Sequence, residues 1–431
     1  MASFGFVADD LTGASDVLAQ AHRYGLDAVL VIGDAALPDD ADVVGIAGPA
    51  RSLGGTAFDE HVRGDLARIA ELDLEVLLYK VCSTFDSSPK LGSIGRGIEL
   101  LHERFPDHGP IPVVPAQPGF GRFTAFSHHY ATYGGRIYRL DRHPVMATHP
   151  STPMHEADLR ELLAEQFGIE IAPGAIQLPT YDDGTFTQAW EQHRAAGGPA
   201  FVVDAVSDTH LDTVAAALRT QPDSPTPAIV VGSGGVMAAL ARTTGHRTPI
   251  TPDPHRASGP VLAVSASASS VTAQQIADAL DHGWVDVPVP ASLLQSCEPE
   301  QLAALEAAVS AALSAGRDVV VHTTRGTDDP RFSNLGPVDP AHVGSVIGSL
   351  AARMASAGLT HDIAVFGGDT SSHALIAMGV AQLRVTEQFV TAGPICHSDD
   401  AAAVAGCRLL LKGGQVGPPD ILSRFAGHLP A

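Results

Sequence analysis

Basic residues are scarce in this chain: 26 Lys and Arg stand against 48 Asp and Glu, a formal net charge of −22. That balance argues against a nucleic-acid or anionic-membrane partner, which would select for clustered Lys and Arg. It does not argue against a small anion, which needs only a few local donors. Cysteine is also sparse. Cys82, Cys297, Cys396 and Cys407 show neither CxxC spacing nor a histidine at zinc-finger intervals, so they read as free thiols in a reducing compartment. No run reaches the ~18 apolar residues that a membrane span requires. The N-terminus opens on a strand rather than on a secretion signal, and the expectation is a soluble cytoplasmic protein. GxxxxGK[ST] is absent, which excludes a P-loop enzyme. In VVGSGGVMAAL, Met237 takes the third glycine position of the dinucleotide fingerprint, which argues against an NAD-dependent dehydrogenase.

What is there describes an α/β protein. The 431 residues, 45% of them hydrophobic, exceed one typical core and imply two or three domains. Near-continuous apolar runs recur at 28–32, 43–47, 76–81, 111–115, 201–203, 229–231, 261–264, 319–321, 363–366 and 408–411. Helical patterns fill the intervals, as expected for parallel strands covered on both faces. The aperiodic, Pro-rich stretch 245–260 is the linker candidate, between a domain at 1–244 and one at 261–431.

Chemistry-bearing residues gather where these runs end. FGFVADDLTGASD runs an apolar strand into Asp9 and Asp10, and the helical pattern that follows stops near Gly25. Two adjacent carboxylates at a buried strand end repel each other and call for a cation or donors. They suit a general base, a metal-ligand pair, or a turn in which one acid caps the helix and the other is solvated. Ala8 excludes the paired-Asp motif of haloacid-dehalogenase-type phosphatases, which needs Asp two positions before Asp10. Lys80, Ser83, Thr84, Asp86, Ser87 and Ser88 follow another strand, and Arg51 follows a third. A cation with several hydroxyls fits a small polyhydroxylated anion, and Arg offers a bidentate clamp for a carboxylate. Later in the chain, SASAS (265–269) and GGDTSS (367–372) sit between strand and helix. Their glycines and hydroxyls, at a helix start, favour phosphate oxygens.

Together VADDLTGASD, KVCSTFDSS with GSIG, HPSTPM and GGDTSS resemble the four-carbon acid sugar kinases across essentially the whole chain. The resemblance implies ATP-dependent phosphorylation of the terminal hydroxyl of a short sugar acid. It also implies two domains, each a largely parallel sheet flanked by helices, with the active site in the cleft between them. On that pattern the N-terminal domain binds the acid through Asp10, Arg51 and the segment Lys80, Cys82, Ser83 and Thr84. The C-terminal domain binds the nucleotide through Ser267, Gly367, Gly368, Asp369, Thr370 and Gly414. Asp10 would be the catalytic group, Arg51 and Lys80 would hold the carboxylate end, and Mg²⁺ would accompany ATP. STFDSS, with Cys82 where threonate and erythronate kinases carry Asp, is similar to the branch acting on 3-oxo-tetronate or 3-oxo-isoapionate.

Three other readings stay open at this point. A D-threonate or D-erythronate kinase shares the motifs. A metal-dependent sugar-acid isomerase or aldolase would use Asp9 and Asp10 as ligands and would not consume ATP. A non-catalytic sugar-acid sensor would not need GGDTSS. A homo-oligomer is compatible with each.

Overall fold

A computed structural model describes residues 3–429 apart from 150, 171, 221–225, 245–255, 297, 327–328 and 333–337, with Phe332 and Asp369 described by their backbone alone. The expected linker therefore lies outside the described residues from 245 to 255. The chain divides into two compact units, Met1–Ala28 with Leu37–Ile250, and Val29–Ala36 with Thr251–Ala431.

The first unit begins with β1 (Phe4–Ala8) and α1 (Leu11–Arg23). The chain lends β2 (Ala28–Ile32) almost entirely to the second unit, then returns with β3 (Val43–Ala47), α2 (Gly55–Ile69), β4 (Val76–Lys80), α3 (Ile94–Arg104) and β5 (Ile111–Val114). A small antiparallel sheet follows, β6 (Arg122–Ala125), β7 (His128–Tyr133) and β8 (Arg136–Arg139). The unit closes with α4 (Leu159–Phe167), β9 (Gly174–Ile176), α5 (Pro179–Asp182), α6 (Phe186–Ala195), β10 (Ala200–Val203), α7 (Asp208–Arg219), β11 (Ala228–Gly232) and α8 (Gly234–Thr244).

Its main sheet has the order β3-β1-β4-β11-β5-β10-β9 and is parallel throughout. Every residue of β1, β4 and β11 is buried, which is why these strands read as unbroken apolar runs rather than alternating ones. Phe6 stands in register with Gly45, whose missing Cβ would fall 1.9 Å from the phenyl ring, so the glycine is where the ring lies. Because β3 and β4 pair with opposite edges of β1, the chain reverses direction across the sheet there. Open α/β sheets place ligands at such a switch, beyond the strands' carboxyl ends.

The second unit contains β12 (Val261–Ser265), α9 (Ser270–Asp281), β13 (Val285–Pro288), α10 (Pro299–Ser314), β14 (Val319–His322), α11 (Pro340–Ser356), β15 (Asp362–Phe366) and α12 (Asp369–Ala377). β16 (Gln382–Val390), β17 (Gly393–Ser398), β18 (Arg408–Lys412) and α13 (Ile421–Phe425) complete it. Here the order is β13-β14-β12-β15-β18-β17-β16-β2. Strands from β13 to β18 are parallel, while β17, β16 and β2 pair antiparallel in turn. Val261, Ala263, Phe366, Ile395, Leu410, Trp284 and Phe425 share one buried cluster, each large side chain contributing about 1.5–3 kcal/mol by burial. All the strands expected from apolar runs are present. The hairpin β16–β17, the sheet β6–β8 and the short strands β9 and β13 were not legible as runs. No helix among the described residues is long and apolar enough to cross a membrane.

Candidate active site

The first cluster is assembled by three neighbouring strands. Asp9 and Asp10 leave the end of β1, Arg51 lies in the short turn after β3, and Lys80 is the last residue of β4. Register sets Ala8 opposite both Ala47 and Lys80, so residues far apart in sequence emerge side by side. Arg51 holds Asp9 through two bonds, Nε to Oδ2 at 3.0 Å and Nη2 to Oδ1 at 2.8 Å. The same Nη2 donates to Asp10 Oδ1 at 2.8 Å. Asp10 Oδ1 also accepts from the Gly13 amide at 2.7 Å, so Asp10 is the residue that caps α1. The structure thus gives the cap to one acid and ties the other to the guanidinium; neither is simply solvated.

Asp10 is buried, and burial pushes its carboxyl up, reinforced by the charge of Asp9 and opposed by Arg51 and Lys80. Its Oδ2 has no hydrogen-bond partner among the described residues. Lys80 is 3% exposed, donates to the Val81 carbonyl at 2.8 Å, and makes no ion pair among the described residues. A Cβ on Gly13 would fall 2.6 Å from Asp10 Oδ1 and 2.6 Å from Lys80 Nζ, so only glycine leaves room for both charged groups.

Beyond Lys80 the chain folds into a hydroxyl-rich loop. Cys82 Sγ lies 3.0 Å from Thr84 Oγ1, which donates to Asp86 Oδ1 at 2.9 Å. Burial, with help from Asp86, pushes the Cys82 thiol up to about 11, so it is a neutral contact and not a thiolate nucleophile. Ser83 offers its carbonyl to His129 Nε2 at 2.8 Å. Burial takes His129 down to about 4, leaving a neutral ring whose Nδ1 accepts from Thr124 Oγ1 at 2.9 Å. These bonds tie the loop to the β6–β7 hairpin.

The same hairpin brings in a cation that the motifs did not single out. Arg122 opens β6 after Gly121, whose φ is +69°. Its Nη1 donates to the carbonyls of Phe120 and Gly121 at 3.0 and 3.3 Å, and its guanidinium lies 4.9 Å from the Phe120 ring centroid. The Nε is buried with no hydrogen-bond partner among the described residues; burial pushes the guanidinium pKa down, opposed by the charge of Asp86. A Gly-Arg pair beyond the β5 strand was the available signal.

A second cluster lies at the ends of β12, β15 and β18, adjacent in the sheet of the other unit. Ser269 caps α9, accepting from the Val271 amide at 3.1 Å, and donates to the Gly414 carbonyl at 2.7 Å. Thr272 Oγ1 lies 3.1 Å from Ser267 Oγ and 3.0 Å from the Gly414 carbonyl. Ser267 and Gly414 are thus brought together, and a Cβ on Gly414 would sit 2.6 Å from Ser267 Oγ. The Gly367 amide donates to the Lys412 carbonyl at 3.2 Å, and its φ of +150° is open only to glycine. Gly368 is exposed, and a Cβ there would meet nothing within 4 Å. It precedes α12 without a side-chain cap, and its carbonyl accepts from the Ser371 amide at 3.0 Å. The Asp369 side chain lies outside the described residues.

Residues 4–240 match the model for a sugar-binding N-terminal domain, and residues 262–422 match that for a nucleotide-binding C-terminal domain. The chain is 32% identical to the 3-oxo-isoapionate kinase of Paraburkholderia graminis, over 96% of this chain and 91% of that one. It is 30% identical to the D-threonate kinase of Bordetella bronchiseptica, over 98% and 96%. Against the 3-oxo-tetronate kinase of Cupriavidus necator the identity is 29%, over 98% and 97%. A solved structure from Salmonella typhimurium LT2 shares the fold with a TM-score of 0.80 at 24% identity, covering 98% of both chains. Domain models on both halves and similarity along nearly the full length agree: the chain belongs to the four-carbon acid sugar kinases, in which a sugar-binding N-terminal domain is joined to a nucleotide-binding C-terminal domain.

Proposed function

We propose that this enzyme uses ATP to phosphorylate the terminal hydroxyl of a short 3-oxo sugar acid in the cytoplasm, 3-oxo-isoapionate or 3-oxo-tetronate being the substrates of its named relatives. The observation that carries the chemistry is Asp10: a buried carboxylate fixed through Oδ1 by Gly13 and Arg51, with no hydrogen-bond partner for Oδ2 among the described residues. Oδ2 takes the proton of the acceptor hydroxyl as its oxygen forms a bond to the γ-phosphorus. The bond from that phosphorus to the β-phosphate bridging oxygen breaks, ADP leaves, and Asp10 returns its proton to solvent. A raised carboxyl pKa suits a general base, since it makes the carboxylate more basic. Phosphoryl transfer otherwise needs positioning and charge neutralisation, which these residue types supply.

Arg51 spends Nε and Nη2 on the aspartates, so Nη1 is the donor it keeps for the acid, alongside the Lys80 ammonium. Arg122, on the Cys82–Asp86 side of the site, meets the carboxylate end, with Ser83 and Thr84 contacting hydroxyls or the keto oxygen. Ser267, the loop Gly367–Thr370 and Gly414 bind the ATP phosphates. Mg²⁺ enters as part of the nucleotide substrate, held by phosphates and water. A coupled ADP-release assay over a panel of 3-oxo acids, tetronates and larger aldonates tests the reading. ADP should form only with a short acid, and the product should be a phosphate ester of its terminal hydroxyl. ATP turnover with none of the acids, or phosphorylation of the carboxylate, would sink it.

A further inference from the structure

Lys412, the last residue of β18, is 2% exposed and lies among uncharged groups. Its Nζ donates to the Gly413 carbonyl at 2.9 Å and to Thr272 Oγ1 at 3.2 Å, and lies 4.3 Å from the Phe366 ring centroid. No carboxylate comes within ion-pair distance among the described residues. On its own strand the other charge is Arg408, paired with Asp362 of β15 at 2.7 Å at the far end of both strands. α9 presents Thr272, β15 presents Phe366, and β17 lies alongside through Ile395 and Cys396, opposite Leu410 and Leu409. A buried ammonium without a counter-ion is costly unless an anion completes it. In a chain with so few cations, this one stands where the three expected phosphate-binding segments converge. Its backbone carbonyl accepts from Gly367, its ammonium reaches Ser267 through Thr272, and Gly414 lies two residues on.

We infer that Lys412 is the phosphate-neutralising lysine of the nucleotide site: its ammonium meets the terminal phosphates of ATP and, through Thr272, sets the orientation of the Ser267 hydroxyl. The inference rests on the kinase reading and adds to it a residue and a linked proton. Burial brings the free amine down to about 7, so at pH 8 it is mostly neutral in the ligand-free protein. Phosphate stabilises the ammonium, so ATP binding at pH 8 takes up a proton. The terminal phosphate, with a second ionisation near about 6, is already charged there.

Calorimetry of Mg-ATP binding at pH 8, in buffers of different ionisation enthalpy, should show uptake approaching one proton in the wild type. Lys412→Met keeps the length and replaces a buried amine that has no counter-ion among the described residues by an apolar chain, so it should fold. It should weaken ATP binding roughly 30-fold or more, abolish the proton uptake, and leave the KM for the sugar acid unchanged. A wild type that binds ATP without proton uptake overturns the assignment, and this measurement requires no variant. So does a folded Lys412→Met that binds ATP as tightly as the wild type. A wild type that binds no ATP overturns the kinase reading and this inference with it.

Discussion

Arg51 grips Asp9 with two parallel N–H···O bonds of 3.0 and 2.8 Å, the fork-to-fork geometry that fixes a guanidinium in one plane. Asp9 therefore acts by orienting Arg51, whose remaining reach on that side is to Asp10. Replacing Asp9 with Asn keeps the shape but lets the guanidinium turn. Asp9→Asn should lose stability, by up to about 3 kcal/mol since Arg51 retains Asp10, and raise the KM for the acid more than that for ATP. An unaltered melting temperature with unaltered KM values would show the pair to be incidental.

Asp10→Asn should lower kcat by roughly 10²–10⁴-fold with modest change in either KM, as expected for loss of a positioned base. The wild-type pH profile carries a second signature. Because burial raises the Asp10 pKa, activity should fall on acidification with an apparent pKa above the ordinary carboxylate value of 3.8. Near-normal turnover in Asp10→Asn would transfer the base to another residue.

Gly13→Ala separates fold from function. Inside a helix such a change ordinarily stabilises by roughly 0.5–1 kcal/mol. Here the new Cβ would lie 2.6 Å from both Asp10 Oδ1 and Lys80 Nζ, so one charged group must move. Turnover should drop at least tenfold while circular dichroism stays native. Full activity would mean the two groups need not be so close.

Arg122→Met should raise the KM for the sugar acid by an order of magnitude or more and leave that for ATP in place. Losses that fall on both substrates equally would mark Arg122 as a brace for the hairpin it opens.

Gly368→Val probes the nucleotide loop. Apart from its chain neighbours, no described atom lies within 4 Å of the added Cβ, so stability should change little. Any loss of ATP affinity then reports a clash with the ligand. The two properties can be read together from melting curves with and without Mg-ATP.

Much of this architecture was visible in the sequence because parallel strands buried on both faces advertise themselves as apolar runs. The residues just past their ends inherit the ligand-facing edge. The pair Asp9 and Asp10, Arg51, Lys80, the SASAS hydroxyls and Gly367 were legible as candidates for that reason, while the choice of Asp10 and of Ser267 within their segments comes from the family resemblance. Arg122 was not, because the short antiparallel strands of its sheet are largely half-buried or exposed, with one buried residue in β6, two in β7 and none in β8, and so leave no apolar run. Lys412 was overlooked because a lysine after Leu409–Leu411 reads as a strand end reaching solvent, whereas its ammonium turns back to Thr272. Strand alternation sends only one of the two adjacent acids towards the substrate, which leaves the cap or turn to Asp9 in the sequence. The structure gives the cap of α1 to Asp10 instead, because the turn brings its Oδ1 to the Gly13 amide. No local pattern could pair Val29–Val31 with Gln382–Arg384, across some 350 residues.

That long-range pairing governs how the protein can be cut. A fragment starting beyond the 245–260 stretch would carry both glycine-rich loops but lack β2, leaving Gln382–Arg384 of β16 as a bare edge. Unpaired edges are templates for the next chain. Such a piece should self-associate until a peptide covering Ala28–Ile32 is supplied in trans. The native chain avoids this exposure because the covering strand emerges from the ribosome long before the edge it will protect.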